Sequence, residues 1–225
     1  MKKYVIIVAG GSGSRMRSDV PKQFLKLKGK PVLMHTIERF YKAFDNDLEI
    51  VVVLPQAQHN YWKSLCVEFE FNISHKIVSG GVTRMNSVEN GLMAIGEDGI
   101  VAIHDGVRPM INEKVIKEAF SSAEVYGSGV VCVYPKDSLR VIKNHESLLT
   151  QSVNRAEYLI VQTPQVFRVE QIKSAFKSAS NYEFTDDASV YENTGKAINI
   201  VIGDYDNIKI TTPEDMLLAE ALLNG

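Results

Sequence analysis

Cysteine is scarce in this chain: only Cys66 and Cys132 occur among 225 residues, far apart and each beside apolar neighbours. Neither has a companion at metal-ligand or redox spacing, so a disulfide framework or zinc site does not organise the fold. Both thiols read as small buried hydrophobes of a reduced compartment. An excess of one charge is also missing. The 25 basic and 27 acidic side chains give a formal net charge of −2, which supplies no general affinity for a polyanion and argues against a nucleic-acid partner. No apolar run approaches a membrane span. The first one, after Met1-Lys2-Lys3, ends at Gly10-Gly11 without a cleavage region, so no membrane association and a cytoplasmic location are expected. Serine-elbow and His/Cys clusters are lacking, as are the Gly-Lys-Ser/Thr ending of a P-loop and the glycine spacing of a dinucleotide fingerprint. Their absence weighs against hydrolase, zinc-enzyme and nicotinamide readings.

What is present is the ordinary composition of an α/β globule: 45% hydrophobic, 23% charged, with 15 glycines and 7 prolines. The length suits one core and one domain over residues 1–225. Continuous β-branched runs at Tyr4 to Ala9, Ile50 to Leu54, Ile100 to Ile103 and Gly129 to Val133 predict strands covered on both faces. Between them, apolar residues recur at helical spacing from Val32 to Phe40, Met85 to Ile95 and Val115 to Ala123, the last with Asn112 placed to cap. Parallel neighbours need such crossovers, so the pattern predicts a Rossmann-like, mostly parallel sheet flanked by helices. Further on, Gln171 to Ser178 and Asp187 to Glu192 predict short helices, and Ile198 to Ile202 a strand. Thr212-Pro213-Glu214-Asp215 opens a last helix. Residues from about 134 to 152 break the rhythm. They alternate polar and apolar positions around Lys143-Asn144-His145-Glu146 and predict a protruding two-stranded arm, whose apolar positions need cover from this chain or a second one.

Three clusters carry chemistry. Gly10-Gly11-Ser12-Gly13-Ser14-Arg15 follows the first strand, where glycines let backbone N–H groups converge on anionic oxygens and Arg15 adds a fixed cation. Lys22, shortly after, can return a compact charge to the same phosphates, whereas Lys26, Lys28 and Lys30 read as a solvated surface. His104-Asp105-Gly106-Val107-Arg108-Pro109 ends the third apolar strand, at the carboxyl edge where open sheets bind ligands. There Asp105 can hold Mg²⁺ with phosphate oxygens and Arg108 can bind a phosphate or carboxylate, an internal Asp–Arg pair being the plainer alternative. His104 reads as structural. In Gly203-Asp204-Tyr205-Asp206-Asn207-Ile208-Lys209, either aspartate could join Asp105 around magnesium, Asp206 being preferred, and Lys209 could balance a transferring phosphoryl group.

These clusters, with Gly80-Gly81-Val82-Thr83-Arg84-Met85-Asn86-Ser87-Val88, Gln162-Thr163-Pro164-Gln165 and Thr185-Asp186-Asp187-Ala188-Ser189, resemble the polyol-phosphate cytidylyltransferase family along nearly the whole chain, most of all its members acting on 2-C-methyl-D-erythritol 4-phosphate. The resemblance implies a magnesium-dependent enzyme that joins the cytidylyl group of CTP to a polyol phosphate and releases pyrophosphate, in non-mevalonate isoprenoid biosynthesis. It implies that Arg15, Lys22 and Lys209 are catalytic cations and that Asp105 and Asp206 are the magnesium carboxylates. Ala9, Gly10, Gly11, Gly13, Gly81 and Ser87 would hold the nucleotide, and Arg108, Ser138, Arg155, Thr163 and Thr185 the polyol phosphate. It further implies a homodimer in which the arm carries residues such as Arg155 to the neighbouring site. Two positions depart from the family pattern. Asp137-Ser138-Leu139-Arg140 has a serine where threonine followed by a basic residue is usual, and Gly106 replaces a frequent alanine. Ribitol 5-phosphate is the alternative acceptor, and a non-catalytic CTP-binding scaffold the alternative class.

Overall fold

The computed structural model describes residues 1–11, 16, 18, 20–144, 146–179 and 184–223. Its strands are β1 (Lys3–Val8), β2 (Lys26–Leu27), β3 (Lys30–Pro31), β4 (Glu49–Leu54), β5 (Lys76–Ser79), β6 (Ile100–Asp105), β7 (Ser128–Val133), β8 (Arg140–Asn144), β9 (Leu149–Ser152), β10 (Ile160–Arg168) and β11 (Ile200–Ile202). The helices are α1 (Val32–Phe44), α2 (His59–Glu68), α3 (Arg84–Met93), α4 (Glu113–Tyr126), α5 (Val169–Ser178), α6 (Asp187–Glu192) and α7 (Pro213–Leu222). Among the described residues no helix is long and apolar enough to cross a membrane.

A 7-stranded sheet in the order β11-β7-β10-β6-β1-β4-β5 forms the centre. All neighbours are parallel except β10, which runs antiparallel to both β6 and β7. Successive strand residues face opposite sides, so β1 sends Val5 and Ile7 into one core and Tyr4 and Ile6 into the other. On the first side lie Ile37 and Phe40 of α1, Trp62 and Leu65 of α2, and Ile116 and Ala119 of α4. On the second lie Val88 and Leu92 of α3, Ile172 and Phe176 of α5, and Val190 and Tyr191 of α6. A smaller cluster, Leu27, Val32, Val107, Ile210 and Ala219, seats α7 against the β2–β3 hairpin. The α4 backbone approaches β7 closely. A Cβ at Gly129 would stand 2.2 Å from the Ala119 carbonyl oxygen, so glycine is what lets helix and strand meet there.

Local signals act as expected at the helix ends. The Asn112 side chain accepts from Lys114 N at 2.8 Å, and Asp215 accepts from Thr212 N at 2.8 Å. The arm is a two-stranded antiparallel excursion in which every residue of β8 and β9 is exposed. Lys143 and Asn144 belong to β8 rather than to its turn, whose described part is residues 146–148. Val141, Ile142, Leu148 and Leu149 stand open to solvent on this chain. Both cysteines are free.

Candidate active site

The parallel register brings the carboxyl ends of β1, β4, β5 and β6 to one edge of the sheet. The strand order turns about β1, with β4 and β5 on one side and β6 on the other, and a crevice outside such a switch point is where open sheets take ligands. A cavity of about 210 Å³ opens there, lined by Ala9, Gly10, Gly11, Lys22, Gln23, Gly81, Thr83 and Ser87 among others. A second one, of about 300 Å³, is lined by Arg108, Gln162, Thr163, Gln165, Thr185 and Asp186. Arg84, Asp105 and Lys209 line both.

Asp105 is the centre of that shared strip. Lys209 Nζ lies 3.0 Å and Arg108 Nε 3.2 Å from its Oδ2, while Arg84 Nε stands 3.9 Å from Oδ1. Burial alone would push this carboxyl up, but Lys209, Arg84 and Arg108 outweigh it and hold Asp105 well below the usual carboxylate range. The backbone fixes the group as well. The β10–β7 ladder shifts register between Val161 and Gln165, and the Thr163 hydroxyl accepts from Asp105 N at 3.1 Å. Arg108 Nη1 donates to Asn207 O at 2.8 Å, which ties the Asp204–Lys209 loop to the end of β6.

Lys22, which lines the first cavity, is 8% exposed and its Nζ donates to Ile210 O at 3.2 Å. Gly11 lies over it, since a Cβ there would meet Lys22 Cε at 3.5 Å. Gly81 N donates to Ser87 Oγ at 3.0 Å, and Ser87 Oγ donates to Thr83 O at 2.9 Å. The serine hydroxyl is thus engaged in holding the Gly80-Gly81 turn. A Cβ on Gly81 would fall 2.3 Å from Asn86 Cβ, so the turn accepts nothing larger.

A family model described as IspD, 2-C-methyl-D-erythritol 4-phosphate cytidylyltransferase, matches residues 3–225. The chain belongs to the 2-C-methyl-D-erythritol 4-phosphate cytidylyltransferase family. It is similar to the enzyme so named from Azobacteroides pseudotrichonymphae genomovar. CFP2, 48% identical over 229 residues with 99% of each chain covered. It is similar also to that of Bacteroides thetaiotaomicron, 47% identical over 223 residues, covering 99% of this chain and 100% of the relative. Among solved structures, the 4-diphosphocytidyl-2C-methyl-D-erythritol synthase of Anaerococcus prevotii DSM 20548 superposes with a TM-score of 0.85 at 28% identity, covering 99% of this chain and 96% of that one. The 2-C-methyl-D-erythritol 4-phosphate cytidylyltransferase of Thermus thermophilus gives 0.80 at 28% identity with 100% of both chains covered. The expected fold and the family resemblance stand, and they favour methylerythritol phosphate over the ribitol alternative.

Against this cytidylyltransferase framework, the expected residues divide. Ala9, Gly10, Gly11, Lys22, Gly81, Ser87, Asp105 and Lys209 meet at the first cavity, and Arg108, Thr163 and Thr185 at the second. Gly13 and Arg15 lie outside the described residues. Asp206 is exposed and lines a separate depression with Arg39, Met110, Asn112, Glu113 and Asp204, apart from the two cavities that Asp105 lines. The cause is its neighbour. Asn207 is fully buried, its Nδ2 donating to Thr163 O at 2.8 Å and Gln162 Oε1 at 3.1 Å, and this inward anchor leaves Asp206 on the solvent side of the turn. Ser138 and Arg155 are exposed and line neither cavity of this chain; Arg155 Nη1 donates to Lys136 O. Gly106 departs from the family alanine where Ala9 and Leu33 have taken the room, a Cβ there meeting Ala9 Cβ at 2.9 Å and Leu33 Cδ1 at 3.1 Å.

Sequence reasoning passed over Arg84, which lines both cavities. The available signal was its place as the first residue of α3, where a cation opposes the helix dipole and needs another reason to be there. Gln23 was also passed over; it lines the first cavity, and its Nε2 donates to Gln58 Oε1 at 2.8 Å.

Proposed function

We propose that this protein transfers the cytidylyl group of CTP to 2-C-methyl-D-erythritol 4-phosphate, forming 4-diphosphocytidyl-2-C-methyl-D-erythritol and pyrophosphate as a step of non-mevalonate isoprenoid biosynthesis. The observation that carries the reading is the pair of adjoining cavities with Arg84, Asp105 and Lys209 common to both. One cavity suits the nucleotide, with backbone groups near Ala9 and Gly81 able to read a cytosine amino group and ring carbonyl. The other, with Arg108, Thr163 and Thr185, suits the acceptor phosphate.

In the reaction, an oxygen of the acceptor phosphate forms a bond to the α-phosphorus, while the bond from that phosphorus to the β-phosphate oxygen breaks and its electron pair leaves with pyrophosphate. A phosphate oxygen needs no base. Among the described residues neither cavity is lined by histidine, and His104 is fully buried with its pKa pushed by burial down to about 3. The protein's part is placement and charge. Lys22 and Lys209 both line the nucleotide cavity, where they offset the negative charge that builds on the transferring phosphoryl group, and Arg15 is assigned the same work. Arg108 and Thr163 orient the acceptor.

Magnesium fits the donor set. Asp105 is a hard oxygen donor on the strip common to both cavities, and Mg²⁺ commonly uses one or two carboxylates with substrate phosphates completing its shell. When bound with the triphosphate, the ion supplies charge neutralisation and holds the phosphates in a fixed orientation.

The arm is assigned to a homodimer. Val141, Ile142, Leu148 and Leu149 offer an apolar surface for a second copy, and Arg155 lines neither cavity of its own chain, as a residue serving the neighbour would. The test is pyrophosphate release by purified protein with CTP, magnesium and each of two acceptors, 2-C-methyl-D-erythritol 4-phosphate and ribitol 5-phosphate. Acceptor-dependent release with the first and little with the second is expected. Preference for ribitol 5-phosphate, or CTP binding without release, overturns the assignment.

A further inference from the structure

Arg84 and Asp187 form a buried pair that joins the two halves of the site. Arg84 Nη1 and Nη2 donate to Asp187 Oδ1 and Oδ2 at 2.9 and 2.7 Å, a two-pronged contact. Asp187 is 1% exposed and lines neither cavity, whereas Arg84 keeps 33% of its side chain open and lines both. The acid side of the pair is itself anchored. Gln165, 1% exposed on β10, donates from Nε2 to Asp186 Oδ2 at 3.1 Å and accepts from Ala188 N at 2.7 Å, clasping the start of α6 on either side of Asp187. Asp186 Oδ1 accepts from Ser189 N at 3.0 Å and completes the turn. The carboxylate is therefore fixed to the sheet, and the guanidinium is fixed to the carboxylate.

We infer that Asp187 is a positioning residue that aims Arg84 at the junction of the two cavities, where the acceptor phosphate meets the α-phosphate of the nucleotide. The geometry leaves Arg84 with donors to spend. Asp187 takes one N–H from each Nη, so Nε–H and the second hydrogen on each terminal nitrogen remain for phosphate oxygens. A free arginine would have to give up rotamer freedom on each encounter, whereas this one is held before substrate arrives. The pair also explains why a cation is tolerated at the first position of α3: its charge is met by Asp187.

The inference rests on the proposed cytidylyl transfer, and the experiment separates the two. Turnover is measured for the wild type, Asp187→Asn, Arg84→Gln and the double variant, varying CTP and 2-C-methyl-D-erythritol 4-phosphate separately. Asp187→Asn is expected to lower kcat/KM for the acceptor on the order of 10- to 100-fold, as misplacement of a reacting-group contact does, while the KM for CTP stays within about threefold. In the Arg84→Gln background, Asp187→Asn is expected to add less than about a twofold loss, because a residue acting through another has nothing left to act on. An active wild type with a folded Asp187→Asn of unchanged kinetics overturns the inference alone. So does a general rise of both KM values, or a further drop of about tenfold in the double variant. A wild type without acceptor-dependent pyrophosphate release overturns the proposed reaction and this inference with it. Asp187→Asn leaves Arg84 poorly paired, and if circular dichroism finds it unfolded, Asp187→Glu decides, because it keeps a carboxylate opposite Arg84 and shifts it by one methylene: a similar selective fall in kcat/KM for the acceptor is expected, and unchanged kinetics overturns the inference.

Discussion

Lys209 Nζ stands 3.0 Å from Asp105 Oδ2, although Asp105 ends β6 in the middle of the chain and Lys209 lies in the loop before α7. The contact is made because Asn207 is sunk under β10 and Arg108 grips its carbonyl, so the loop can only run on toward the end of β6. In that place Lys209 faces both cavities. Replacing it with methionine keeps the bulk and removes the charge. Turnover is expected to fall roughly 100- to 1,000-fold, the usual loss for one well-aimed transition-state donor, with the fold intact by circular dichroism. Lys22→Met is expected to behave alike, and unchanged kcat in either would remove that lysine from the chemistry.

Arg155 and Lys22 give a test of shared sites. Arg155→Ala and Lys22→Met are each expected to be nearly inactive alone. If the arm serves the neighbouring subunit of a symmetric dimer, random mixing after denaturation and refolding puts both lesions in one site of each heterodimer and leaves its other site whole. About a quarter of all sites are then intact, and about a quarter of wild-type activity returns. Activity that stays at the level of the separate variants would place Arg155 outside any neighbouring site.

The seam between α4 and β7 predicts a loss of stability without any bearing on chemistry. A methyl at position 129 would press on a main-chain carbonyl oxygen at 2.2 Å, and a helix backbone cannot rotate aside as a side chain can. Gly129→Ala is expected to lower the free energy of unfolding by about 2–3 kcal/mol, read from urea titrations, because overpacking forces the elements apart. A shift of a few tenths would mean that α4 slides freely on the sheet.

His75 makes stability depend on pH. Its Nε2 accepts from Trp62 Nε1 at 2.9 Å, so the ring carries its proton on Nδ1, toward Ile73 O at 2.7 Å. Burial, the largest influence, depresses its pKa from the ordinary 6.5, with the Ile73 contact pulling the other way. A base with a depressed pKa binds more protons when unfolded. Its contribution is therefore complete above about pH 6.5 and is lost as pH falls from there through the folded value, at a slope of up to about 1.4 kcal/mol per pH unit. His35 is depressed as well, chiefly by burial, so the comparison needs a partner variant. Between about pH 7.5 and 5.5, His75→Gln should lose less stability than the wild type, and equal losses would sink the assignment.

How much of this was legible depends on whether the cause is local. Strands β1, β4, β6 and β7 announce themselves because burial on both faces requires unbroken apolar runs. Strand β10 does not: Pro164 and two glutamines interrupt it, and it is held by neighbours on both sides rather than by its own composition. Strand β5 is a short, half-buried edge, and α2 buries only Trp62 and Leu65, too few to mark a period. In the site, Lys22, Asp105 and Lys209 were readable from residue type and from the family resemblance. The direction of Asp206 was not, since it is set by where Asn207 finds partners on β10, some 40 residues away in sequence. Arg84 was visible in its motif, but its partner Asp187 lies 103 residues downstream.

The neck of the arm has a consequence of its own. Val133, the last residue of β7, sits opposite Ile160, the first of β10, so the excursion leaves and re-enters the sheet through adjacent positions. Such a junction works as a socket. Everything carried between Val133 and Ile160, Ser138 and Arg155 included, is placed relative to the sheet by that one pair of opposite positions.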